Sequence, residues 1–208
     1  MAGFVRKRPI LLAALVLIGA LAGSLAVVGP GCSELKAALQ WRLDVERAMD
    51  AVGLASGMVV GESGAGDGYF TIPMSRRVGP TGAVYANDIS QRALRSLAQR
   101  AAREGLANVQ TVVGEVDDPL FPRRDLELVV LVHAFHDFAR PVEWLVNLKK
   151  YLRPGGTVAI IDRDPAQGTD SHFLPRQRIE QYASDAGYGL ARASDDIRGY
   201  LILVFRPN

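Results

Sequence analysis

The stretch that most constrains the fold is a short apolar run that leads into a glycine-rich loop at residues 59–70. Its sequence is Val-Val-Gly-Glu-Ser-Gly-Ala-Gly-Asp-Gly-Tyr-Phe, so glycine recurs at every second position from Gly64 to Gly68. A run of this kind predicts a β-strand followed by a tight turn into a helix. The dinucleotide-binding pattern G-x-G-x-x-G does not fit, because Tyr69 or Thr71 stands where its third glycine is required.

Acidic residues flank this loop. Glu62 closes the apolar run, and Asp67 lies between two of the glycines. Carboxylates repel a diphosphate but attract an ammonium or sulfonium group. The loop also lacks the Gly-Lys-Ser/Thr sequence of a P-loop. Together these features predict a site for a cationic nucleoside.

A second acid follows the next predicted strand. Residues 83–88 form a β-prone run that ends at Asp88, about twenty residues beyond the loop, where a carboxylate can accept hydrogen bonds from ribose hydroxyls. Glu62-x-Gly64-x-Gly66-x-Gly68, followed by Val84-Tyr85-Ala86-Asn87-Asp88-Ile89, resembles the motifs of class I S-adenosylmethionine-dependent methyltransferases. The resemblance extends over residues 50–161 and is weaker beyond them. It implies an enzyme of that class, with S-adenosyl-L-methionine as its cofactor.

The resemblance also implies roles for individual residues. Glu62 would lie near the methionine ammonium, and Gly64 and Gly66 would lie under the methionine and ribose. Asp88 would bind the ribose, and Ile89 would contact adenine.

Two acids compete for the adenine end of the site. Glu115 stands where the family usually has an Asp near the adenine amine, and Asp117 is the competing candidate. The predicted cofactor-binding set is Glu62, Gly64, Ala65, Gly66, Gly68, Asp88, Ile89, Glu115, Val116 and His133.

The hydrophobic pattern alternates between strand and helix from Ser33 onward. Predicted strands lie at residues 58–61, 83–88, 109–113, 126–132, 157–161 and 200–205. Predicted helices follow Ser33, pass through Ile72 and Met74, begin after Ser90, extend from Pro141 through Leu152, and lie at residues 176–186. Such alternation indicates an α/β fold with helices on both faces of a mainly parallel sheet and ligands at one rim. The resemblance adds a Rossmann-like, doubly wound sheet of seven strands with an antiparallel last strand.

The N-terminus has a different character. Basic residues at positions 6–8 precede an apolar run from Ile10 to Pro30, which is long enough to span a bilayer. We predict that residues 1–32 form a hydrophobic helix that is a signal peptide or membrane anchor, and that residues 33–208 form the methyltransferase-like domain. The charge pattern predicts a domain anchored to the bacterial inner membrane or exported to the periplasm.

The single cysteine and the distribution of basic residues bear on lipidation, disulfide formation and nucleic-acid binding. Cys32 lies where a lipoprotein signal would place an acylated thiol, and an unmodified cysteine is the alternative. A single cysteine excludes a disulfide within the chain. Basic pairs such as Arg76-Arg77 and Lys149-Lys150 are scattered over different elements, which predicts a solvated surface and no nucleic-acid partner.

All three histidines fall on loops expected at the binding rim. Methyl transfer from a sulfonium depends mainly on positioning, and a base is needed only when the acceptor is protonated. His133, His136 and Asp162 are the predicted catalytic residues, because an imidazole can accept a proton near neutral pH. Packing of His133 against the sheet and a polar loop role for His136 are the alternatives. No metal ion is predicted, since loop spacing does not fix ligand geometry for His133, His136 and a carboxylate.

These features predict an S-adenosylmethionine-dependent methyltransferase that acts on a small-molecule or lipid-like acceptor. Tyr69, Phe135, Phe138 and Phe173 would either wall the acceptor pocket or pack in the core. The alternative is a catalytically silent binding protein of the same fold at the membrane, because export would separate the domain from the cytoplasmic cofactor. A nicotinamide oxidoreductase is disfavoured by Tyr69 and Glu62.

Overall fold

A seven-stranded sheet forms the centre of the protein. The computed structural model describes residues 44–167 and 172–208. The strand order is β3-β2-β1-β4-β5-β7-β6. Strands β1 to β5 pair in parallel, and β7 pairs antiparallel with both β5 and β6. The strands are β1 Val59–Ser63, β2 Ala83–Asp88, β3 Val109–Val113, β4 Leu126–Val132, β5 Leu152–Arg163, β6 Tyr188–Ser194 and β7 Tyr200–Pro207. The predicted fold class is confirmed, including the antiparallel last strand.

Helices cover the sheet. Residues 44–51 are helical (α1), followed by α2 Thr71–Val78, α3 Gln91–Arg103, α4 Pro141–Leu148 and α5 Arg176–Asp185. The predicted cap of α3 is present, because the Ser90 side chain accepts a hydrogen bond from the Ala93 N–H. Leu94, Leu97 and Ala101 form its buried face, as their spacing predicted.

Strand β4 is buried on both faces, which explains its nearly continuous apolar sequence. Val129 and Leu131 pack into one apolar cluster, and Leu128 and Val130 pack into the cluster on the opposite face. The one charged residue, Glu127, has defined partners. Its Oε2 accepts a hydrogen bond from the Val59 N–H at 2.8 Å, and its Oε1 pairs with Arg153 at 2.9 Å.

The end of α4 differs from the prediction. The apolar spacing predicted a helix through Leu152, but α4 ends at Leu148 and a single 3-10 turn follows at Lys149–Tyr151. Leu152 instead begins β5 and pairs with Leu126 of β4. Pro154 disfavours helical geometry for the residue before it, so strand pairing prevails at this position. Strand β5 is therefore longer than the predicted strand at residues 157–161.

The predicted signal peptide or anchor, the hydrophobic helix within it, Cys32 and the start of the helix predicted after Ser33 lie outside the described residues. The end of that helix was predicted to place Val45 and Met49 on its apolar face. Both residues are buried in the apolar cluster that covers one face of the sheet. In the part of the chain that the structure describes, no helix has the length and apolar character needed to cross a membrane.

Candidate active site

A cleft of about 380 Å³ opens at the carboxyl ends of the parallel strands. It lies where the strand order reverses between β1 and β4, the usual ligand position in an open α/β sheet. Its lining comprises Gly64, Asn87, Asp88, Ile89, Glu115, Val116, His133, Ala134, Asp137, Phe138, Ala139 and Trp144. Six predicted site residues, Gly64, Asp88, Ile89, Glu115, Val116 and His133, are thus brought together.

The three loop glycines serve different purposes, although all have positive φ. A Cβ at Gly64 would lie 2.3 Å from the Cβ of Ala134, and one at Gly68 would lie 2.2 Å from Cδ1 of Leu97. These two glycines therefore allow close packing within the protein. A Cβ at Gly66 would meet nothing within 4 Å among the described residues, so its surroundings are open.

Asp88 connects the second strand to the glycine loop. Its Oδ2 accepts a hydrogen bond from the Gly66 N–H at 2.9 Å, and its Oδ1 accepts one from the Ser90 N–H at 2.8 Å. A carboxylate has about four lone-pair positions, so both oxygens can still accept bonds from a ligand. The predicted ribose-binding acid is therefore held in place by the loop itself.

Glu62 lies beneath the cleft. Its side chain is buried, and Oε2 accepts a hydrogen bond from the Thr71 hydroxyl at the start of α2. Burial raises the pKa of Glu62 to about 8, the Thr71 bond opposes this, and the negative charge of Asp88 adds to it. The two acids thus lie close enough to repel each other. Glu62 does not line the cleft, and its predicted contact with a cofactor stays a prediction.

The geometry distinguishes the two acids after β3. Glu115 lines the cleft, whereas Asp117 pairs with Arg140 at 2.5 Å. Two exposed apolar side chains, Ile89 and Val116, also face the cleft. An acid beside exposed apolar groups is the arrangement expected for binding a flat base with an amine.

His133 directly follows β4 and has an unusual backbone, with φ of 51°. Its ring stacks on Tyr200, with centroids 5.4 Å apart. Nε2 is buried and has no hydrogen-bond partner among the described residues. Burial lowers the pKa of His133, so the neutral ring is favoured. The described residues thus leave one buried ring nitrogen of His133 without a hydrogen bond.

His136 and Asp162 form a pair next to the cleft. The distance from His136 Nδ1 to Asp162 Oδ2 is 2.6 Å, and both side chains are buried. Neither residue lines the cleft, but Asp137, which does, lies beside His136.

The four aromatic residues considered for the acceptor pocket lie in different surroundings. Phe138 lines the cleft and Phe135 is a core residue. Phe173 contacts the rings of His133 and His136. Tyr69 is exposed and does not line the cleft.

Asn87 and Trp144 line the cleft but were not among the predicted site residues. Asn87 faces the cleft and ties three strands together, because its side chain accepts a hydrogen bond from Ser63 and donates to the Val112 and Pro119 carbonyls. A polar residue within the apolar β2 sequence was the available signal. Trp144 belongs to the buried face of α4, and nothing local marked it as a cleft residue.

The charge of the cleft favours a cationic ligand. Asp88, Glu115 and Asp137 line it, whereas no Lys or Arg is among the lining residues of the described structure. Such a wall repels a diphosphate and attracts a sulfonium or ammonium group.

Comparison with known proteins agrees with this geometry. Residues 60–156 match the family described as a methyltransferase domain. The chain is 30% identical over 114 residues to nocamycin O-methyltransferase of Saccharothrix syringae, an alignment that covers 55% of this chain and 41% of that protein. It is 27% identical over 124 residues to demethylmenaquinone methyltransferase of Geobacillus stearothermophilus, covering 60% and 52%. The chain thus spans about half the length of the curated relatives that it matches.

Structural comparison gives the same kind of fold. The crystal structure of an S-adenosylmethionine-dependent methyltransferase from Aquifex aeolicus superposes with a TM-score of 0.73 at 23% identity, covering 78% of this chain and 88% of that chain. This likeness shows the fold. Together with the family match, it confirms the resemblance to class I methyltransferases and supports the predicted enzyme class and cofactor.

Proposed function

We propose, on the premise that the described residues form a class I methyltransferase domain, that the protein transfers a methyl group from S-adenosylmethionine to a small, largely apolar acceptor. The observation that carries the proposal is the junction of Asp88 with the glycine loop. Its carboxylate is fixed by the Gly66 N–H at the edge of an acidic cleft. A cationic adenosyl compound fits this charge and this spacing.

The cofactor would lie across the strand ends. Asp88 would accept hydrogen bonds from the ribose hydroxyls. Ile89 and Val116 would contact adenine, and Glu115 would lie near the adenine amine. The methionine end would then approach Glu62, where a positive charge favours the ionised carboxyl and lowers its raised pKa.

Positioning would supply most of the rate. Displacement at a sulfonium releases a neutral thioether, so the protein must mainly align the acceptor with the methyl group. His133 is the predicted catalytic residue that lines the cleft, and its buried Nε2 has no hydrogen-bond partner among the described residues. We propose that it accepts the proton of a hydroxyl acceptor.

The acceptor side of the cleft is apolar. Phe138, Ala139 and Trp144 line it, which suits a ring or an alkyl chain more than a charged group. The two named relatives act, by their names, on nocamycin and demethylmenaquinone. We therefore propose an oxygen-bearing, quinone-like or lipid-like acceptor, delivered from the membrane to which residues 1–32 would attach the domain.

Calorimetry on the full chain in mild detergent tests cofactor binding. S-Adenosylmethionine and its demethylated product should both bind, and Asp88→Asn should weaken binding at least about tenfold, or 1.4 kcal/mol, through loss of a charge-assisted acceptor. Asp67→Asn is the matched control, because the structure places this acid of the same loop at an exposed position that does not line the cleft. Absence of heat with both compounds, or equal effects of the two substitutions, would contradict the proposed site.

A transfer assay separates an enzyme from a silent binding protein. Labelled S-adenosylmethionine and a lipid extract should yield label in the organic phase with the wild-type chain and much less with Asp88→Asn. Cofactor binding without any transfer to lipids, quinols or phenols would support the binding protein instead.

A further inference from the structure

Two loops bring His136, Asp137 and His172 together beside the cleft. His136 and Asp137 lie on the 3-10 turn Phe135–Asp137 after β4, and His172 follows β5, 35 residues beyond Asp137. One ligand-capable atom from each residue lies within 4.8 Å of those of the other two. We refer to these three residues as the His–Asp–His cluster. Asp137 also lines the cleft.

His136 is oriented as a metal ligand usually is. Its Nδ1 lies 2.6 Å from Asp162 Oδ2, and the Asp162 side chain is 1% exposed. A carboxylate at Nδ1 places the ring proton on that nitrogen and leaves the lone pair on Nε2. Nε2 is the nitrogen that faces Asp137, at 3.5 Å from Oδ2.

The spacing of the donor atoms also fits an ion. His172 Nε2 lies 3.4 Å from Asp137 Oδ1, and His136 Nε2 lies 3.5 Å from the other oxygen of the same carboxylate, Oδ2. Both separations exceed the usual N–H···O hydrogen-bond range, which ends at about 3.2 Å. Donors that share a tetrahedral zinc ion at bond lengths of about 2.0–2.1 Å are about 3.4 Å apart.

Neighbouring groups hold the cluster and leave it accessible. The Phe173 ring packs edge-on against the rings of both His136 and His172. The side chains of Asp137 and His172 are 65% and 59% exposed, so an ion can enter and keep a position for a further ligand.

We propose that the His–Asp–His cluster binds one divalent first-row transition-metal ion, with Asp162 as the positioning residue for His136. Two imidazoles and one carboxylate suit Zn²⁺ or Co²⁺, whereas Mg²⁺ requires oxygen ligands and near-octahedral geometry. Since Asp137 lines the cleft, the ion would sit at its rim, where its open position can take an oxygen of a small molecule. The ion site does not depend on methyl transfer.

Metal titration of the full chain tests this inference. The chain should be untagged, stripped with a chelator, and placed in a Cys32→Ser background so that the lone thiol cannot bind metal. Calorimetry with Zn²⁺ should give one ion per chain, Co²⁺ should develop visible absorption bands, and Mg²⁺ should give no heat. Asp137→Asn and His172→Ala should each weaken Zn²⁺ binding at least tenfold; both side chains are exposed, so folding should persist, as circular dichroism can check.

Further variants distinguish this site from adventitious binding. Asp162→Asn should weaken Zn²⁺ binding about 10–100-fold, the usual effect of removing a group that orients a ligand. Glu143→Gln, which changes an exposed carboxylate outside the cluster, should leave the affinity within about twofold of wild type. Absence of Zn²⁺ binding by the folded chain, equal binding of Mg²⁺, or unchanged affinity in His172→Ala would overturn the proposal.

Discussion

Replacing Glu62 with Gln should stabilise the protein, and the gain should grow with pH. Glu62 is buried and its pKa is raised to about 8 from an ordinary value of 4.5. Between these two pH values the folded protein holds a proton that the unfolded chain releases. The free energy of unfolding of the wild type therefore falls as the pH rises through this window. Gln has the shape of the protonated acid and can still accept the Thr71 hydrogen bond, but it does not titrate.

The expected gain in the free energy of unfolding follows from the shift in the pKa of Glu62. Each unit between the two pKa values is about 1.4 kcal/mol. Relative to a neutral side chain, Glu62 lowers the free energy of unfolding by about 2 kcal/mol at pH 6 and about 4 kcal/mol at pH 8. The difference between Glu62→Gln and wild type should thus increase by about 2 kcal/mol over this range. Other titrating groups are common to both proteins, so their contributions cancel in the comparison.

Urea unfolding at pH 6, 7 and 8, followed through tryptophan fluorescence, measures this difference without cofactor. Trp144 is buried and reports on the folded core. Glu143→Gln is the matched control, since it makes the same chemical change at an exposed position and should give no pH-dependent difference. A gap between Glu62→Gln and wild type that stays constant from pH 6 to pH 8 would refute the argument, because Glu62 would then ionise as it does in water.

Further predictions concern the cleft. Gly66→Ala and Gly105→Ala should each lower the free energy of unfolding by about 1 kcal/mol, since both glycines have positive φ and the described residues leave open space around them. Calorimetry should show weaker cofactor binding only for Gly66→Ala. Equal affinities of the two variants would place the cofactor elsewhere. Glu115→Gln should weaken S-adenosylmethionine binding several-fold while Asp117→Asn leaves it unchanged, and the reverse order would reassign the adenine end. His133→Gln should lower kcat for a hydroxyl acceptor about 100-fold with little change in the KM for the cofactor, and an unchanged kcat would remove it as the base.

Much of the fold followed from local sequence. The periods of strands β2, β3 and β4, the Ser90 cap, the glycine loop and Asp88 at a strand end are all short-range features, and each was found where it was predicted. The end of α4 was not found where it was predicted, because the pairing of Leu152 with Leu126 depends on a strand that is distant in sequence. Periodicity alone could not reveal that competition.

The sequence by itself therefore determined the alternation of elements and the acidic, glycine-spaced character of the site, since hydrophobic period and turn chemistry act between near neighbours. Only the tertiary structure decided that Glu62 turns inward to Thr71, that Glu115 faces the cleft while Asp117 pairs with Arg140, and that His136 meets both Asp162 and His172. These outcomes depend on strand order and on packing between segments far apart in the chain, which no local pattern encodes.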